Sequence, residues 1–335
     1  RTVRELSSVA NQLGRKRTLC EAYGAAGWEL RFEDMKRIAD WLFVLGVNTL
    51  EEHLSYITLR GARKKDHPQS FSYHEPWWDA YHVRATYATR LSAALSQGNQ
   101  IQQFLLLQPT TTAWLYQADP AHASHLDDIG NRFQKLVMQL EMAQVEYDIG
   151  CEDIIERNGS VRVRRLKVGK RAYRAVIIPP QTETLNAKTK ELLEELAMTG
   201  GKVIFCDEIP TLVDGRPARE GEDVPAEIPY GWEKVSPEKL PEFLNGLTSD
   251  GFAIRRAPGD KGILFHHRRR LSDGDLLFLV NTSDKVPSCG TVVSPARGVE
   301  LWNLETGKAE PIASRSEGGG VALPFELPPC GSLLV

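Results

Sequence analysis

The run "IQQFLLLQP" (101–109) limits the fold more than any other stretch of this chain. A strand that is apolar at every position is buried on both faces, which calls for helices on either side of a parallel sheet. The residues downstream supply them. A long helical pattern covers about 124–143, and "VEYDIGC", "YRAVIIPP" (173–180), the helix "TLNAKTKELLEELAMTG" and "GKVIFCDEIP" (201–210) follow in turn. This order reads as an open, doubly wound parallel sheet of flavodoxin type. "RNGSVRVRRLKVGKRAY" (157–173) reads as a hairpin insert turning at Asn158-Gly159, and residues 211–250, rich in Pro and Gly, connect outward. "QPTTTAW" after the first strand lacks the glycines that let a backbone approach an anion, so its expected role is structural.

Upstream the pattern alternates strand and helix. Val3, Leu6, Val9, Ala10 and Leu13 have helical spacing, and Gly14 sits where a C-cap glycine would. "TLC" leads to Glu21 and a loop over 22–31. The amphipathic helix "FEDMKRIADWLFVLG" (32–46), the strand "VNTLEEH" (47–53), a long loop (54–78) and a helix over 79–96 follow. Strand–helix units of about 30 residues fit a parallel α/β sheet or barrel. From about 252 the pattern changes to short strands separated by turns, which favours a small antiparallel β-sandwich. There the basic "HHRRR" (266–270) reads as a solvated edge. The expected domains are therefore a partial (β/α) barrel over 1–99, a flavodoxin-like α/β domain over 100–250 and a β-sandwich over 251–335.

Composition excludes several partners. Net charge is -3, the basic run "RGARKK" (60–65) is short, and no apolar stretch approaches the roughly 18 residues of a membrane span, so neither nucleic acid nor membrane is expected. The five cysteines (Cys20, Cys151, Cys206, Cys289, Cys330) are far apart and form no CxxC pair, which suits a reducing compartment. The chain opens on Arg1 without an initiator Met. It is expected to be the C-terminal part of a longer protein, cytoplasmic, or periplasmic if a signal peptide lies in the missing part.

Candidate chemistry gathers at two strand ends. Carboxyl ends of strands carry the active sites of parallel α/β folds. Glu21 stands at one such end and is either a catalytic carboxylate or a structural group, a helix N-cap or a loop salt bridge with Arg15 or Lys16 as partner. Tyr23 and Trp28 beside it favour catalysis, because sugar rings stack on aromatic rings. His53 ends the next strand and opens a loop that carries Tyr56, Trp77 and Trp78. Glu51 and Glu52 alternate faces along that strand, so at most one points into a barrel interior. One of the paired tryptophans is expected to pack the following helix and the other to wall a pocket.

These pieces, "CEAYGAAGW", "EEH", the "PWW" loop and the tail "VNTS…ELWNLETGK…LPPCGSLLV", resemble the C-terminal half of large bacterial glycoside hydrolases. The likeness is closest to the family 106 α-L-rhamnosidase-like group and more distant to family 42 β-galactosidases. It implies that Glu21 is an active-site carboxylate, that His53 lines the sugar site, and that calcium belongs to the pocket, for which Glu51 and Glu52 are the local ligand candidates. It also implies hydrolysis of a plant or bacterial oligosaccharide, with an α-L-rhamnoside first in line. The rival expectation is a non-catalytic carbohydrate-binding or oligomerisation module, a homodimer or homotrimer. Two strand–helix units cannot close an eight-stranded barrel, so a second catalytic carboxylate would lie upstream, or be Glu51 or Glu52.

Overall fold

The computed structural model describes residues 1–217 and 228–335; part of the Pro- and Gly-rich stretch, 218–227, lies outside the described residues. Helix α1 (Thr2–Leu13) is followed by β1 (Leu19–Ala22), α2 (Phe32–Val44), β2 (Thr49–Glu52), α3 (Tyr81–Leu95) and β3 (Asn99–Gln100). Next come β4 (Phe104–Leu107), α4 (Thr110–Tyr116), α5 (Ala123–Met142), β5 (Tyr147–Gly150), α6 (Glu152–Asn158), β6 (Gly159–Arg162), β7 (Arg165–Val168) and β8 (Arg171–Tyr173). Then follow β9 (Ala175–Ile178), β10 (Thr184–Leu185), α7 (Ala187–Met198), β11 (Lys202–Phe205), β12 (Leu212–Val213), β13 (Arg216–Pro217), β14 (Trp232–Lys234) and α8 (Leu240–Leu247). The remainder is strand: β15 (Ala253–Arg256), β16 (Leu264–Arg270), β17 (Asp275–Asn281), β18 (Ser288–Ser294), β19 (Glu300–Trp302), β20 (Ala309–Pro311), β21 (Arg315–Glu317), β22 (Gly320–Leu327) and β23 (Ser332–Leu334). The chain forms two compact units, residues 1–15 with 101–249 and residues 16–100 with 250–335.

In the first unit, β14-β11-β9-β4-β5 form one sheet in which every neighbouring pair is parallel. The apolar runs now have a physical reading. Phe104 and Leu106 join Phe133 and Leu140 of α5 in a core on one face, while Leu105 and Leu107 join Leu192 and Leu196 of α7 on the other. Both faces are covered, which favours an apolar side chain at every position of β4.

Helix α1 forms where the spacing predicts it, but the face it buries is largely polar. It buries Arg4, Ser7, Ser8, Ala10 and Gln12, while Leu6 and Leu13 remain 41% and 37% exposed. The reason is the free edge of β5, whose backbone groups need partners. Ser8 Oγ accepts the Ile149 N–H at 2.8 Å and Gln12 Nε2 donates to the Ile149 carbonyl at 3.0 Å. The polar face of the helix therefore caps the sheet edge. Gly14 closes the helix in the left-handed conformation, φ 69°.

The hairpin insert is present, but its first turn is not at Asn158-Gly159. α6 ends at Asn158, and β6 and β7 are joined through Val163 (φ 44°) and Arg164 (φ 61°). Two successive positive φ values suit a two-residue hairpin turn that prefers Asn-Gly. A β-branched residue is a poor occupant, and Val163 is also 89% exposed. Replacing Val163 and Arg164 by Asn and Gly is expected to stabilise the chain by about 1 kcal/mol. A urea midpoint that fails to rise would refute this.

The second unit holds the parallel pair β1-β2 and two antiparallel four-stranded sheets, β15-β18-β22-β21 and β23-β17-β16-β3. Leu264, Leu277 and Leu279 of one sheet and Val292, Leu323 and Phe325 of the other share a core. "HHRRR" is not a solvated edge. It lies in β16, between β17 and β3, with His267 and Arg268 each only 2% exposed. Burial is tolerated because Arg268 pairs with Asp250 (2.5 Å) and Asp275 (3.3 Å) and lies over the Phe252 ring at 3.9 Å.

Candidate active site

Strand register decides which side chains share a face. β1 and β2 run parallel with Glu21 opposite Glu51 and Ala22 opposite Glu52. Side chains alternate along a strand, so Leu19, Glu21, Glu51 and His53 lie on one face, and Cys20, Ala22 and Glu52 on the other. The first face is open: Leu19 is 51% exposed and the Glu21 side chain 63%. The second faces the helices, where Glu52 pairs with Arg84 of α3 at 2.6 Å.

On the open face His53 Nδ1 meets Glu21 Oε1 at 2.8 Å. This joins the expected catalytic carboxylate to the histidine expected to line the sugar site. His53 Nε2 is buried without a hydrogen-bond partner, and the His67 ring lies edge-on to its ring at 5.1 Å. With Nδ1–H donating to the carboxylate, the neutral ring keeps Nε2 as an acceptor.

Beneath this pair lies a buried clasp that sequence reasoning missed. Gln69, fully buried, donates from Nε2 to the His53 carbonyl (2.8 Å) and to the Tyr23 carbonyl, and accepts the Gly27 N–H at 3.1 Å. It ties together the loops that leave β1 and β2. Glu75, also missed, accepts the Ser70 N–H at 3.2 Å while its Oε2 has no partner; burial pushes its carboxyl up. Neither residue belongs to a periodic pattern, and no sequence signal separates them from ordinary loop polars.

The other expected residues fall into two groups. The hydroxyls of Tyr23 and Tyr56 are engaged inside the protein. Tyr23 OH donates to the Met35 carbonyl at 3.0 Å and accepts from Arg84, and burial pushes it up to about 12. Tyr56 OH donates to the carbonyls of Asp66 and His67. Trp28 and Trp77 instead line a cleft of about 490 Å³ with Phe32, Arg31, Glu29 and Glu33. The Trp28 ring is anchored by its Nε1–H to the Lys64 carbonyl at 3.0 Å, whereas Trp77 Nε1 is buried without a partner. Trp78 stacks on Tyr81 at 5.4 Å. A wider groove of about 620 Å³, lined by Arg255, Cys289, Thr291 and Phe325, contains none of the expected residues.

Calcium takes 6–8 oxygen ligands. Among the described residues no group of three or more His, Cys, Asp or Glu is placed to hold a metal, and Glu52 is committed to Arg84. Among the described residues, too, no helix is long and apolar enough to cross a membrane.

The model of the family described as alpha-L-rhamnosidase, glycoside hydrolase family 106, matches residues 1–316. The chain belongs to this family. Among solved structures, this family 106 chain is similar to a rhamnosidase from Novosphingobium sp. PP1Y, with 19% identity and a TM-score of 0.75, over 99% of this chain and 32% of that one. It also resembles a GH42 β-galactosidase from G. stearothermophilus (11% identity, TM-score 0.63, over 91% of this chain and 51% of that one). A third likeness is to a β-galactosidase from Bacillus circulans sp. alkalophilus (12%, 0.61, over 98% and 57%). At these identities the likeness concerns the fold. The family 106 chain spans about a third of the length of the Novosphingobium protein. Comparison with curated proteins by sequence gives no match.

Proposed function

We propose that this chain supplies catalytic and sugar-binding groups to a glycosidase that hydrolyses an α-L-rhamnosidic bond in a plant or bacterial oligosaccharide. In this reading β1, α2, β2 and α3 are strand–helix units of a (β/α) barrel. The five-stranded parallel sheet is flavodoxin-like, its strands running 2-1-3-4-5 in chain order. The two antiparallel sheets form a β-sandwich. The observation that carries the function is the Glu21–His53 pair, an open carboxylate held at 2.8 Å on the carboxyl ends of two parallel strands. Glu21 acts either as general base toward a water or as nucleophile toward the anomeric carbon, and His53 Nδ1–H orients it. Glu51, in register with Glu21, offers a second carboxylate on the same face. Trp28 and Trp77, which line the cleft of about 490 Å³, are the aromatic rings on which the sugar would stack.

The test is nitrophenol release from aryl glycosides, by this chain and by any longer polypeptide its gene encodes. Release from the α-L-rhamnoside is expected. Release from another glycoside alone would refute the sugar assignment. Release from none by either protein would refute the glycosidase reading and leave a carbohydrate-binding or assembly module.

A further inference from the structure

The carboxyl end of the parallel sheet carries a side-chain cluster that the catalytic reading leaves unused. After β4 the chain passes through α4 and α5 to β5, on one side of β4; after β9 it passes through α7 to β11, on the opposite side of β9. The connections part at β4 and β9, and in open α/β sheets ligands bind in the crevice outside the strand ends at such a point. The two connections are pinned together there, because Thr112 Oγ1 accepts the N–H groups of Glu183 (3.0 Å) and Thr184 (3.2 Å).

Several groups converge on this place. Glu183 accepts from the Tyr116 hydroxyl at the end of α4 and pairs with His125 Nε2 of α5 at 2.8 Å. The Tyr116 and His125 rings meet edge to face, 4.5 Å between centroids. Gln181 Nε2 donates to Asp128 Oδ2 at 2.5 Å, while Gln181 Oε1 is buried without a partner. The His125 and Glu183 side chains are 34% and 33% exposed, so solvent reaches them.

Arg132 Nε also donates to Asp128 Oδ2 at 2.9 Å, and the unused valences of the cluster are acceptors. With Nε2–H given to Glu183, the neutral His125 ring keeps Nδ1 as an acceptor, and Asp128 Oδ1 is an acceptor as well, while Gln181 Oε1 lies buried. Arg132 offsets the charge of Asp128, and the Glu183 carboxylate, paired with the neutral His125 ring, disfavours an anion here. A ligand rich in hydroxyl donors, with C–H faces that suit the Tyr116 ring, is favoured. We propose that this crevice is a second saccharide-binding site, taking a neutral sugar through its hydroxyl groups, separate from the Glu21 site.

The test is isothermal titration with methyl α-L-rhamnoside, methyl β-D-galactoside and methyl α-D-mannoside, and with ethylammonium chloride. It uses the double variant Glu21→Gln, Trp28→Ala, so that the strand-end site does not contribute and failure of the glycosidase reading does not affect the outcome. At least one glycoside is expected to bind, and affinity is expected to fall about tenfold or more in His125→Ala and in Glu183→Gln, since each change breaks the His125–Glu183 pair that holds the acceptors in place. Tyr116→Phe keeps the ring and removes only the hydroxyl; should the other variants lose native circular dichroism, it decides, with about threefold weakening expected. Binding of no glycoside, binding untouched by these substitutions, or binding of the ammonium ion alone would overturn the proposal.

Discussion

Glu21→Gln is expected to lower turnover of the aryl α-L-rhamnoside by about 10²–10⁴-fold while leaving folding unchanged. The amide keeps the size and the hydrogen bond, because Gln Oε1 accepts the His53 Nδ1–H as the carboxylate did at 2.8 Å. What it loses is the negative charge, and with it the ability to take a proton from water or to attack an anomeric carbon. At about 1.4 kcal/mol per decade, the loss corresponds to roughly 3–6 kcal/mol of transition-state stabilisation. Stability is expected to move by no more than about 0.5 kcal/mol, since the side chain is 63% exposed. The comparison of kcat with KM sharpens the prediction. A carboxylate that only held the sugar would raise KM with kcat nearly intact, whereas a base or nucleophile lowers kcat. Unaltered kcat in the variant would remove Glu21 from the chemistry, whatever happened to binding.

How far such a site can be read from sequence is shown by its own parts. Strand ends and aromatic loops are local features, and they drew attention to Glu21, His53, Trp28 and Trp77. Their pairing is not local. That His53 reaches Glu21, and that Glu51 rather than Glu52 shares the Glu21 face, follows from a parallel register which sets Glu21 against Glu51. The Gln69 clasp is legible only in three dimensions, since its hydrogen bonds reach residues 16 to 46 positions away. Likewise for the fold. "FLLL" announces a strand with two covered faces because hydrophobicity alone determines that outcome. "HHRRR" misleads, and the buried face of helix α1 stays hidden although the helix itself is legible, because these buried positions are polar and are satisfied by distant partners, which no apolar periodicity records.

Those distant partners carry the second large expected effect. Arg4 of α1 and Glu141 of α5 form a two-point pair at 2.8 and 2.9 Å, with side chains only 5% and 6% exposed. Tyr147 OH donates to Glu141 Oε1 at 2.9 Å, and the Arg4 guanidinium lies 5.6 Å from the Tyr147 ring centre. Arg4→Met removes one charge and leaves the other buried, which is expected to cost about 3–5 kcal/mol. The same physics predicts that the double variant Arg4→Met, Glu141→Met recovers most of this loss, because desolvation of the pair offsets much of its attraction. Hydrogen exchange at Ile149 gives a readout tied to this place. Its N–H is held by Ser8 Oγ only while α1 stays docked on β5, so exchange should accelerate in the single variant and slow again in the double. If the single variant lost less than about 1 kcal/mol in urea, with Ile149 still protected, the pair would be peripheral to folding. α1 would then be held on the sheet edge by Ser8 and Gln12 instead.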